Sequence, residues 1–83
     1  MKKYLVEIYL PACGRRYDAF LPAGKKVYEV RHLLARLAES LSSGSYKATG
    51  DALLLDAETG EPFSLDDTVY DAGIRNASRL ILI

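Results

Sequence analysis

Thr68-Val69-Tyr70-Asp71-Ala72-Gly73-Ile74-Arg75-Asn76-Ala77-Ser78-Arg79-Leu80-Ile81-Leu82-Ile83 is the stretch on which the fold turns. It starts as a short helical turn, bends at Ala72-Gly73-Ile74 and runs into four apolar residues. A strand of that composition has neighbours on both sides and at least one buried face. Left as a sheet edge it would invite aggregation. It is therefore expected inside a sheet, with earlier strands pairing on it.

The rest of the chain supplies those partners. In Lys3–Leu10 the even positions Tyr4, Val6, Ile8 and Leu10 are apolar, a period of two that predicts a strand with the even set toward a core. Pro11-Ala12-Cys13-Gly14 turns the chain, and residues 16–21 form a second strand in which Tyr17, Ala19 and Leu21 share a face. Over Val27–Leu41 the period changes. Val27, Val30, Leu33, Leu34, Leu37, Ala38 and Leu41 follow the spacing of an amphipathic helix, with Glu29, Arg31, His32, Arg36 and Glu39 toward water. Gly44 suits a left-handed helix stop, whereas Lys26 stands where Ser, Thr or Asp would cap the start best. Residues 45–51 read as a polar loop and 52–56 as a third strand around Leu53-Leu54-Leu55. Glu61-Pro62-Phe63 reads as a short strand that its proline confines to an edge.

One amphipathic helix can cover only one face of a sheet. The order of elements thus predicts a single α+β domain over residues 1–83, two layers thick, with a mixed sheet of four to five strands. Its expected core is Tyr4, Val6, Ile8 and Leu10 from the first strand, Tyr17, Ala19 and Leu21 from the second, and Val27, Val30, Leu34 and Leu37 from the helix. Leu53 and Leu55 join from the third strand, and Val69, Ile74, Leu80 and Leu82 from the closing stretch. Large apolar members contribute about 1.5–3 kcal/mol each, against about 1.5 kcal/mol of conformational entropy per ordered residue. So small a surplus leaves no room for an enclosed cofactor cavity.

Composition narrows the function. Eleven Lys and Arg balance eleven Asp and Glu, which argues against a general nucleic-acid or membrane binder. The sum hides an asymmetry of nine basic against four acidic residues up to Lys47 and two against seven after it, which predicts charge-segregated surfaces. Met1-Lys2-Lys3 leads into strand-like alternation, not the apolar core of a signal peptide, and no run nears the roughly 18 apolar residues of a membrane span. A soluble, cytoplasmic domain without direct membrane insertion is expected. With Cys13 as the one cysteine, neither an intramolecular disulfide nor a cysteine-built zinc or iron–sulfur site can be assembled. Cys13 beside Arg15 and Arg16, His32 without a second ligand, and Gly24-Lys25-Lys26 without the flanks of a phosphate loop give no catalytic constellation. Asp66, Asp67 and Asp71 are expected to shape turns. The sequence predicts no enzyme, no cofactor and no metal.

Over its whole length the chain resembles the β-grasp, or ubiquitin-like, fold. Val27-Tyr28-Glu29-Val30 at the helix start carries the likeness, with Leu65-Asp66-Asp67-Thr68-Val69-Tyr70-Asp71-Ala72-Gly73-Ile74 and Arg79-Leu80-Ile81-Leu82 at the end. Within that fold it is similar to the small bacterial YukD/EsaB group, through Lys25-Lys26-Val27 and Asp71-Ala72-Gly73-Ile74-Arg75-Asn76. The resemblance implies a cytosolic protein linked to type VII (ESX/WXG100) secretion and lacking the terminal Gly-Gly used for conjugation, and an end at Ile83 fits that expectation. A related domain is fused to a multi-spanning membrane component of the same machines, so a domain excised from such a protein is an alternative. A modifier or sulfur carrier whose glycine tail is missing from this chain is another. Ala77 departs from the family by standing where glycine is common, and Lys26 by being a poor cap.

What remains is a surface. With the even residues of the first strand toward the helix, Leu5 and Tyr9 point to the open side of the sheet together with Phe20, Leu54 and Ile81, rimmed by Lys3, Asp18 and Arg79. Five sizeable apolar side chains on one uncovered face mark an interaction site. The predicted function is a non-catalytic adaptor or regulator that docks on another protein. By the resemblance, that partner is a secretion-system component able to recruit it to the inner face of the membrane. Formation of a homodimer through the same face, or through an exposed strand edge, is the competing use.

Overall fold

The computed structural model describes residues 2–44, 46–47 and 52–83. In chain order the elements are β1 (Lys3–Leu10), β2 (Arg15–Pro22), α1 (Val27–Leu41), β3 (Leu54–Asp56) and β4 (Arg79–Leu82). The four strands form one mixed sheet in the order β2-β1-β4-β3. β4 lies in the interior, parallel to β1 and antiparallel to β3, as its apolar run predicts. The hairpin β1–β2 keeps an unbroken register from Lys3·Pro22 to Leu10·Arg15. With α1 on one face, this is the α+β, ubiquitin-like arrangement expected from the sequence.

The core lies between α1 and that face of the sheet. Tyr4, Val6, Ile8 and Leu10 of β1 are buried with Leu80 and Leu82 of β4, and Val27, Val30, Leu34, Ala35 and Ala38 of α1 close over them. Val69 and Ile74 fill the space left by the helix. Tyr46 is also buried, anchored by its N–H to Ser42 Oγ at 2.9 Å. Burial pushes the Tyr46 hydroxyl above the usual phenol pKa, and the nearby Arg31 guanidinium opposes this in part. The polar loop expected over 45–51 falls mostly outside the described residues; its one aromatic belongs to the core.

The ends of α1 are held in different ways. At the C-terminus Gly44 takes φ +86° and donates its N–H to Glu39 C=O, so the stop is local, as expected. At the N-terminus Lys26 makes no side-chain cap. Val27 N–H donates instead to Asp67 C=O at 2.8 Å, and Tyr28 N–H to Leu65 C=O at 3.2 Å. A distant loop thus supplies the acceptors that a capping side chain would otherwise provide.

Several expectations are corrected. Leu54 is only 2% exposed, whereas Leu53 is exposed and Leu55 half-buried, so the side-chain parity of β3 is the reverse of that expected. The register explains it: Leu54 stands opposite the buried Leu82, and Leu55 opposite Ile81. Asp56 shares the Leu54 side without being core because it ends the strand, its Oδ1 accepting the Glu58 N–H of the next turn. The strand expected at 61–63 reduces to a bridge between Leu55 and Pro62. Leu37 lies half exposed on the flank of α1, displaced from the buried stripe by Ala35 and Ala38. Residues of the basic half and of the acidic half also meet. Lys26 Nζ donates to Asp66 C=O at 2.8 Å, and Arg79 stands beside Glu7 across the β1–β4 ladder.

Candidate protein-interaction surface

The face of the sheet away from α1 is built by the odd residues of β1 and their neighbours. Cross-strand pairing sets them in rows. Leu5 stands beside Phe20; Glu7 lies between Asp18 and Arg79; Tyr9 lies between Arg16 and Ile81, and Ile81 beside Leu55. Phe20 is 64% exposed and Leu5 is exposed, while Tyr9, Ile81 and Leu55 are half-buried. Long cations lean over the aromatics: Lys3 Nζ lies 5.7 Å from the Phe20 ring centre and the Arg16 guanidinium 4.8 Å from that of Tyr9. Arg16 also reaches Glu7 at 3.4 Å. Between β1 and the corner before β4 runs a shallow trough of about 540 Å³, lined by Leu5, Glu7, Asp18, Asn76, Ala77 and Arg79.

Five of the six site residues expected from the sequence, Leu5, Tyr9, Phe20, Ile81 and Arg79, share this face. Leu54 does not, because it is in the core; Leu55 takes its place. A second apolar feature was missed altogether. Leu33, Leu37 and Leu41, four residues apart on one flank of α1, are all exposed, Leu33 by 60%. The signal for them is an apolar stripe wider than one sheet face can cover, since it combines the rows Val30-Leu34-Ala38 and Leu33-Leu37-Leu41.

The segment 71–76, which carries the family likeness, is structural. Gly73 takes φ +86° and Ile74 is buried. Arg75 donates to the carbonyls of Tyr70 and Ile74 and stacks 4.0 Å from the centre of the Tyr70 ring. Asn76 Oδ1 accepts the Leu5 N–H at 2.9 Å, continuing the ladder where β4 has not yet begun. Cys13 is half-buried in the β1–β2 turn, its thiol directed at Leu10 C=O, and His32 is exposed on α1. Among the described residues no three metal-ligating side chains gather, and no helix is long and apolar enough to cross a membrane.

One helix packed on a mixed sheet with β1 and β4 parallel at its centre defines the ubiquitin-like β-grasp fold. Solved structures bear this out. The ubiquitin-like domain of the Mycobacterium tuberculosis type VII secretion protein EccD1 is 23% identical with a TM-score of 0.68, the match covering 100% of this chain and 99% of that one. A chain of the MycP5-free ESX-5 inner membrane complex matches at 16% identity and a TM-score of 0.74, over 100% of this chain and 21% of that one. The toluene 4-monooxygenase HD complex, solved with the inhibitor 4-bromobenzoate, contains a similar chain at 11% identity and a TM-score of 0.79, with 98% and 96% covered. The same architecture thus serves very different assemblies, and function has to be argued from the surface. No protein-family model and no curated protein matches the sequence.

Proposed function

We propose that this domain is a non-catalytic protein-interaction module that docks through its open sheet face on a component of a type VII secretion apparatus, on the cytoplasmic side of the membrane. The observation that carries this is the band of Leu5, Tyr9, Phe20, Ile81 and Leu55 across all four strands, over a trough too open to enclose a small substrate. The likeness to the EccD1 domain supports the type VII assignment, and the resemblance to YukD and EsaB supports a free-standing regulator. A second reading, that the sequence is one domain of a larger membrane protein, is favoured by the ESX-5 chain, about a fifth of which corresponds to it. In both readings the domain binds and is not conjugated. The intact mass of the protein isolated from its own cells separates them from a modifier, which would carry a glycine-ended tail beyond Ile83.

The binding test is a titration of the domain against the purified ATPase and membrane subunits of a type VII apparatus from its own cells. Leu5→Asp and Leu55→Glu, both on the open face, are expected to weaken binding by about tenfold or more each, while Leu33→Asp on the helix flank leaves it unchanged. Undiminished affinity in both open-face variants, with native circular dichroism, would remove this face as the site.

A further inference from the structure

The two edges of the sheet are finished differently. On the β3 side the strand is three residues long, and the Leu55·Pro62 bridge and the Phe63 N–H bond to Leu54 C=O cover it. On the other side β2 runs for eight residues in uninterrupted register. Its main-chain groups that face away from β1 can be assigned. Ala23 N–H donates to Lys2 C=O at 2.9 Å, which makes Lys2·Ala23 a hydrogen-bonded pair. Antiparallel alternation then makes Tyr4·Leu21, Val6·Ala19, Ile8·Tyr17 and Leu10·Arg15 the others. The main-chain N–H and C=O groups of Arg16, Asp18 and Phe20 therefore point away from β1, at the open edge. On its helix side the same edge is bordered by the exposed leucine row of α1, with an apolar hollow of about 240 Å³ among Ala19, Phe20, Leu33 and Leu37.

We propose that this edge seats a second copy of the chain, the two β2 strands pairing antiparallel about a two-fold axis that passes between their Tyr17 residues. The argument is charge. Charged side chains on an edge discourage pairing with foreign strands, but here the signs alternate so that the edge matches its own reverse. With Tyr17 opposite Tyr17, Arg16 of each copy stands opposite Asp18 of the other, on the open face. Each of these is a hydrogen-bonded pair that exchanges both of its main-chain bonds. Among the described residues Asp18 makes no ion pair within its own chain, and Arg16 leans over Tyr9 and reaches the half-buried Glu7 at 3.4 Å. Sliding one ladder step to oppose Asp18 with Asp18 sets like charges together, so charge selects the register. Both helices then lie on the same side of one eight-stranded sheet, and the row of Leu33, Leu37 and Leu41 on each faces the joint. The open faces become continuous across the axis, so the pairing adds to the proposed docking surface and does not depend on what that surface binds.

Sedimentation equilibrium of the purified domain from about 10 µM to about 1 mM tests the pairing without any partner. The wild type is expected to dimerise. Asp18→Arg and Arg16→Asp are each expected to weaken association by about tenfold or more, and the double variant Arg16→Asp/Asp18→Arg to restore it. In a Cys13→Ser background, Tyr17→Cys is expected to give an oxidised dimer at the close, non-hydrogen-bonded pair on the axis, and Asp18→Cys is not. A monomer throughout the range, a dimer indifferent to both charge reversals, or a folded double variant that stays monomeric would overturn the proposal. So would β2 amide shifts that appear only on adding a secretion subunit, which would assign the edge to that partner.

Discussion

Along β4 the two faces of the sheet can be compared residue by residue. Leu80 and Leu82 are fully buried under α1, while Ile81 between them is only half covered and Arg79 is exposed. β1 repeats the contrast, with Val6 and Ile8 buried and Leu5 in water. The side chains are of the same kind; what differs is the presence of a helix. Apolar residues on the helix side are therefore fixed by stability, and those on the open side are free to serve an interface. Neighbouring leucines in β3 offer the largest test. Leu54→Ala is expected to cost about 3 kcal/mol in urea denaturation, and Leu55→Ala less than about 1 kcal/mol. Equal losses would break the comparison, because both faces would then be structural.

That pair also shows how far the sequence could be read. Strands β1 and β2 and helix α1 announce their inward faces through their own periodicity: Tyr4, Val6, Ile8 and Leu10, Leu21, and Val27, Val30 and Leu34 are buried as expected, whereas Tyr17 and Ala19 are only half-buried and Leu37 is exposed. Leu53-Leu54-Leu55 has no internal alternation, so its parity is decided by the distant Leu82, and the polar Asp56 points the wrong way because it serves a turn. The same dependence on distant partners hid the core role of Tyr46 and the reduction of the 61–63 strand to a bridge. For the surface, Leu5, Tyr9, Phe20, Ile81 and Arg79 were legible from alternation alone, and Leu54 was not. The exposed flank of α1 needed the additional knowledge that one sheet face accepts only part of a wide apolar stripe.

The corner before β4 joins the two faces, with Ile74 under the helix and Ala77 lining the open trough. Ala77 holds φ +69°, a left-handed conformation that disfavours a Cβ, while its N–H donates to Leu5 C=O at 2.8 Å. The family likeness marks this as a place where glycine is common, and the backbone supplies the reason. Ala77→Gly is expected to stabilise the domain by about 1 kcal/mol, read as a raised urea midpoint with unchanged slope. Leu5→Asp, on the open side of the same corner, leaves that gain intact if the corner acts on the core side alone. A gain that vanishes in the Leu5→Asp background would show the two faces to be coupled through it.

The smallest effect is expected at the helix start, and it is informative because a general rule predicts a larger one. Replacing a poor cap by Asp ordinarily stabilises a helix by about 1 kcal/mol, because the carboxylate accepts the N–H of the second or third helical residue. Here Tyr28 N–H is already bonded to Leu65 C=O and Val27 N–H to Asp67 C=O, while Glu29 N–H turns back to Lys26 C=O. An aspartate at position 26 finds no free donor, and the substitution removes the Lys26 Nζ bond to Asp66 C=O. Lys26→Asp is therefore expected to change stability by less than about 0.5 kcal/mol in denaturant titration. The helix that separates the closed face from the open one would then be anchored at its N-terminus by the 65–67 loop. A full 1 kcal/mol gain would show that those bonds are weak in solution and that the lid over the core is held chiefly by its own packing.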